Sequence, residues 1–173
     1  ELDGEEFETL TTPSGMREAE KFGFEDIFSE FKKGVDTQLE KEDTETHYNL
    51  GIAYKEMGLL DDAIREFKIA SADHKKEFDC YNLIGICYVE KGAYKNAVET
   101  FKKGLKLPDI SDDEYAGMNY ELGTAYELSG MTGDALSAYM ETGKKNPGFR
   151  DVQSKILQLG GSRETKKGRV SYV

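Results

Sequence analysis

The chain has 173 residues, 38% hydrophobic and 33% charged, with 23 Lys and Arg against 34 Asp and Glu for a net charge of −11. It is too apolar to be disordered throughout, and its longest apolar run, Leu83 to Val89, is far too short to cross a bilayer. The negative field repels phosphates, so neither nucleic acid nor an anionic membrane is an expected partner. Two Cys make no disulfide framework and point to the reducing cytoplasm. The chain opens on Glu1 without a signal-peptide pattern, so it reads as a piece of a longer or processed protein.

Residues 1–23 form an acidic leader without a sustained apolar period, broken by Thr11-Thr12-Pro13-Ser14-Gly15. It is expected to be a flexible linker. Over 24–41, Phe24, Ile27, Phe28, Phe31, Val35 and Leu39 recur at helical spacing and predict an amphipathic helix. Its Phe31-Lys32-Lys33-Gly34 is identical to Phe101-Lys102-Lys103-Gly104. The helix therefore reads as the second half of a unit lacking its first, laid as a lid on the segment that begins at residue 44.

From residue 44 the chain repeats. Tyr48-Asn49-Leu50-Gly51-Ile52-Ala53-Tyr54 is followed by Gly58, Ala63, Phe67 and Ala70. Asn82-Leu83-Ile84-Gly85-Ile86-Cys87-Tyr88 is followed by Gly92, Ala97, Phe101 and Gly104. Tyr120-Glu121-Leu122-Gly123-Thr124-Ala125-Tyr126 is followed by Gly130, Ala135, Tyr139 and Thr142. Gly51 and Gly85 stand 34 residues apart, Gly85 and Gly123 38 apart, the extra four lying around Pro108 to Ser111. Leu50, Ala53, Tyr54 and Met57 make one apolar stripe, and Ile64, Phe67 and Ala70 another. Between the stripes, Gly58, Gly92 and Gly130 sit where a left-handed residue ends a helix at low cost. Each unit thus predicts a helix, a tight turn and an antiparallel helix. Gly51 with Ala63, and their counterparts, are the small residues expected to let the backbones approach. Ser111-Asp112-Asp113-Glu114 is a capping box for the third unit. Phe149, Val152, Ile156, Leu157 and Leu159 predict a helix stopped by Gly160-Gly161.

At these residues the chain resembles the tetratricopeptide repeat family. The period of 34, the Leu-Gly-x-x-Tyr core, the turn glycine, the later Ala and Phe, and Pro147 all fit that pattern. The large packing residue that the family has near the start of each unit is His47, Tyr81 and Asn119 here, so the third departs. The expected fold is an all-α solenoid of three repeats, 44–77, 78–111 and 116–147. The helix over 24–41 and a C-terminal helix over 148–160 cap it, with a basic tail over 161–173. The tail could dock weakly in the groove, since Lys166, Lys167 and Arg169 complement its acidic margins.

Nothing in the sequence carries catalysis. His47 and His74 stand in no metal-ligand pattern, and Cys80 and Cys87 read as buried small hydrophobes. Phosphate-loop and nucleophile-elbow strings are absent from the sequence. Asp61-Asp62 and Asp112-Asp113 lie at helix starts, where carboxylates complement the dipole. No enzyme activity, metal or cofactor is expected.

The resemblance implies that the first helix of each pair lines a concave side. Residue by residue, it assigns Tyr48, Ile52 and Lys55 from the first unit, Asn82, Ile86 and Val89 from the second, and Tyr120, Thr124 and Glu127 from the third as peptide-binding. Such an apolar floor with acidic margins suits a protein or peptide with apolar anchors and basic flanks. Tyr48, Ile52, Leu83, Gly117 and Glu121 stand where the subgroup that binds acidic chaperone tails has its polar and basic groups, which argues against that ligand. The alternative function is self-assembly into homo-oligomers through the terminal helices.

Overall fold

The computed structural model describes residues 26, 27, 29–31, 33, 34 and 43–167, with side chains through Gly161. The chain divides into two units, Glu1–Glu40 and Lys41–Val173. In the first, the described residues within 26–34 are helical (α1), and Ile27 and Phe31 are exposed. The leader over 1–23 and the last six residues of the basic tail lie outside the described residues.

The second unit runs α2 (Thr44–Glu56), α3 (Leu60–Ala70), α4 (Glu77–Glu90), α5 (Tyr94–Gly104), α6 (Asp112–Leu128), α7 (Thr132–Lys145) and α8 (Val152–Lys167). Successive helices pack pairwise, and α4 also touches α6 directly. Within each pair the turn is closed by one device. Gly58, Gly92 and Gly130 adopt φ of +76°, +73° and +79°, a region open to glycine at little cost. The residue after each donates its N–H back to the last turn of the helix: Leu59 to Tyr54, Ala93 to Tyr88 and Met131 to Tyr126, each at 2.8–2.9 Å. This pattern satisfies carbonyls that a helix end otherwise leaves bare.

Pairs close because a glycine in the first helix receives a ring from the second. A Cβ at Gly51 would lie 2.6 Å from Phe67 Cε1, and one at Gly123 2.7 Å from Tyr139 Cε1. At Gly85 the overlap with Phe101 is tighter still. The partner of each glycine is therefore the ring four residues beyond the expected Ala63, Ala97 or Ala135. Those alanines are fully buried on the same face.

The stripe on α2 also differs from expectation. His47, Gly51 and Tyr54 are buried, while Ala53 and Met57 are exposed. The equivalents of Leu50 and Ala53 are Ile84 and Cys87 in α4, and Leu122 and Ala125 in α6, all buried. Helices α4 and α6 each pack on the second helix before them, α3 and α5. Helix α2 opens its unit, so that side of it has no such neighbour there.

Two features sit at the array's irregular places. The four extra residues between the second and third pairs include Asp109 at φ +60°, and Ser111 and Glu114 then form a reciprocal capping box. After α7, Arg150 adopts φ +44° and turns the chain into α8. Helix α8 does not stop at Gly160-Gly161 but runs on to Lys167. Neither glycine takes positive φ, and nothing lies within 4 Å of a Cβ at either. Without a closing turn they lower helix propensity without ending the helix.

Candidate peptide-binding face

Equivalent positions on α2, α4 and α6 place the nine expected residues on one set of helix faces, but in unlike surroundings. In α2, Tyr48 is part-buried, edge-on to Phe67 at 5.9 Å, with Lys76 Nζ 5.0 Å above its ring. Ile52 is part-buried, and Lys55 reaches across to Glu90 of the next repeat at 3.0 Å. In α4, Ile86 and Val89 are part-buried, and the Asn82 Oδ1 is buried without a hydrogen-bond partner.

In α6 the expectation of an open face fails at Tyr120. It is 8% exposed, packed on Tyr139 (ring centroids 5.3 Å apart) and Phe149 (5.5 Å). Its hydroxyl donates to Asp151, and Arg150 lies 4.9 Å over its ring. Burial, then the bond to Asp151, push its pKa up to about 12. The same bond holds the Asp151 carboxyl below its ordinary range. Thr124 donates to the Tyr120 carbonyl at 3.1 Å and lies 3.3 Å from the Tyr139 hydroxyl. Glu127 accepts from Tyr139 at 2.7 Å and from Lys155 of α8 at 2.9 Å. Desolvation raises its pKa, but these two bonds outweigh it and leave the group lowered. The segment from Phe149 to Lys155 thus covers the third repeat's part of the face.

Tyr120→Ala should therefore cost stability, about 3 kcal/mol as for other buried aromatics. Tyr120→Phe, which loses only the hydroxyl, should cost a small fraction of that. Urea midpoints of the two variants check the ranking. An unchanged midpoint for Tyr120→Ala would return this ring to an open surface.

The spacing of the repeats did not show Phe149, Arg150, Asp151 and Lys155 as walls of this face. The one signal was the Pro147-Gly148 break followed by an aromatic and a basic residue. Cys80 and Cys87 are buried free thiols, pushed up to about 12 and about 11 by desolvation first of all, so neither is a ready thiolate. Among the described residues, no group of three His, Cys, Asp or Glu side chains could hold a metal ion, and no helix is long and apolar enough to cross a membrane.

Comparison with known proteins fits the geometry. A family model of the tetratricopeptide repeat matches residues 78–109, the second helix pair with its turn glycine Gly92. Over those residues the chain carries a tetratricopeptide repeat. No curated protein matches it in sequence. Among solved structures, the array resembles the crystal structure of MamA at 22% identity, covering 90% of this chain and 87% of that one with a TM-score of 0.65. It also resembles the TPR2AB-domain:pHSP90 complex of yeast Sti1, at 19% identity, 73% and 48% coverage and a TM-score of 0.63. A third likeness is to the first TPR of Spaghetti (RPAP3) bound to the HSP90 peptide SRMEEVD, at 12% identity, 73% and 97% coverage and a TM-score of 0.62. At these identities the likeness is one of fold: an all-α tetratricopeptide solenoid.

Proposed function

We propose that the tetratricopeptide array is a non-enzymatic scaffold that holds a peptide segment of a partner protein on the face of α2, α4 and α6. The observation that carries this reading is the apolar run Ile52, Ile86 and Val89, part-buried, ending at exposed Leu128 and framed by the Lys55–Glu90 and Lys155–Glu127 pairs. Lys55 meets Glu90 one repeat on, and Val89 and Leu128 hold the positions equivalent to Lys55 and Glu90 in the second and third repeats. Apolar side chains between ion pairs make a floor for a partner's anchors and leave the margins to charge. Two of the similar solved structures are complexes named for HSP90, which supports peptide holding as a use of the fold. The acidic balance here favours a ligand with basic flanks over an acidic tail.

Ile52→Asp together with Ile86→Asp should abolish partner capture. Both side chains are part-buried, so the helical circular dichroism should persist. Proteins retained from a lysate by the unaltered chain and lost by the double variant, identified by mass spectrometry, check this. Equal retention by both would reject this face. Self-assembly is the second reading, favoured by the exposed Ile27 and Phe31 of α1. A mass that rises with concentration in light scattering, with no difference in capture, would select it.

A further inference from the structure

Tyr48, Asn82 and Tyr120 occupy one equivalent position in the three repeats, and the chain treats the middle one differently. Over Tyr48 lies Lys76, paired with Glu45 at 2.9 Å. Over Tyr120 lies Arg150, paired with Glu121 at 2.7 Å. The chain thus supplies its own cation, with a carboxylate beside it, at the first and third positions. At Asn82 there is an amide whose Oδ1 is out of solvent and reached by no donor, which is costly unless something arrives to donate.

That amide lines a hollow of about 210 Å³ together with Phe78, Glu114, Gly117, Glu121 and Phe149. Arg150 borders the same hollow, but its guanidinium is engaged by Glu121 and by the rings of Tyr120 and Phe149. A larger hollow of about 360 Å³ shares Phe78 and Glu114 as walls and is also lined by Leu107 and by Pro108 and Ile110 of the four-residue extension. The two together present the carboxylates of Glu77, Asp109, Glu114 and Glu121 against Lys75 and Arg150. The Ser111 side chain and N–H hold the Glu114 carboxyl below its ordinary range, so it is negatively charged at neutral pH.

We propose that these neighbouring hollows take an extended peptide bearing an arginine, whose guanidinium donates to Asn82 Oδ1 beside Glu114 and Glu121, while a neighbouring aliphatic side chain fills the space against Leu107, Pro108 and Ile110. A planar guanidinium suits the place because it donates at its edge and stacks on its faces, here against the ring of Phe78. The proposal rests on the reading that the array holds a peptide, and it assigns the anchor and charge by which that peptide is chosen.

The test uses the full chain and fluorescein-labelled glycine-serine octapeptides carrying one leucine and one arginine at varied separation. Fluorescence anisotropy should show saturable binding for at least one separation, and the uncharged citrulline analogue should bind about tenfold more weakly. Asn82→Leu and Ile110→Asp should each weaken the arginine probe by a similar factor. Asn82→Leu removes an unsatisfied polar group, so the fold should tolerate it. Equal binding of citrulline and arginine probes overturns the proposal, as does unchanged binding to Asn82→Leu, or no binding of any probe at about 1 mM. Binding that survives Asn82→Leu and Ile110→Asp but is lost with Ile52→Asp and Ile86→Asp overturns it while upholding the groove reading.

Discussion

Gly85→Ala is expected to destabilise the array by about 3 kcal/mol, the upper end of overpacking costs. The sign is what makes this informative. In an ordinary helix interior the same change gains about 1 kcal/mol, because alanine loses less backbone freedom on folding. Here the added Cβ would fall inside the ring of Phe101, which is fully buried and hemmed in by the neighbouring repeat. The ring has nowhere to go, so the two helices must part. Gly160 is the internal control. It is helical, with nothing within 4 Å of a Cβ, and Gly160→Ala should gain up to about 1 kcal/mol. Shrinking the ring should rescue the core substitution: Gly85→Ala with Phe101→Leu should be more stable than the two single losses add up to, by about 1 kcal/mol or more. Urea titrations of the four chains decide it. If Gly85→Ala stabilised as Gly160→Ala does, the helix pairs would not be packed through these glycines.

The helix–turn–helix period was legible because it rests on backbone conformations that few residues allow. Gly58, Gly92 and Gly130 recur at the places where φ is positive, and a repeat of that kind shows in a single sequence. Which side chain each core glycine meets was less legible. Ala63 and Phe67 lie on one face of α3, and spacing alone does not say which reaches Gly51; the ring does, because it is long enough to cross the interface. The covering of Tyr120 was scarcely legible: the Pro147-Gly148 break marked a turn but not its direction. It depends on where the chain turns after Pro147, and that turn is set by Arg150 in a left-handed conformation that no residue pattern announces. The run past Gly160-Gly161 has the same cause in reverse. Glycine permits a stop, but the stop is made by a positive φ and a returning N–H, and neither forms there.

His47→Leu should cost about 3 kcal/mol, although the position is one that the family fills with a packing residue. His47 Nδ1 lies 2.6 Å from Glu66 Oε2, and both residues are buried, Glu66 at 1% exposure. Glu66 also accepts from Arg65, at 3.1 and 3.0 Å, through its other oxygen. Replacing the imidazole leaves one carboxylate oxygen in an apolar interior without a donor, and that penalty exceeds what the added methyl groups gain. The double change His47→Leu with Glu66→Leu removes the carboxylate as well, so most of the loss should return, since a buried polar pair rarely outperforms well-packed apolar side chains. The other two repeats show that the fold does not require the pair. The equivalents of His47 and Glu66 are Tyr81 and Thr100 in the second repeat, and Asn119 and Ala138 in the third. There Thr100 donates to Asn96 and Asn119 to Tyr115, each to a carbonyl four residues back in its own helix. Among the described residues, the first repeat joins its two helices through a buried polar pair, where the third uses the part-buried Tyr139–Glu127 bond, and it is the repeat whose first helix has no preceding helix pair in its unit. Thermal melts of the two single variants and the double variant measure the coupling. If the double variant were as unstable as the worse single one, the pair would be holding the helices in register and not merely satisfying its own charge.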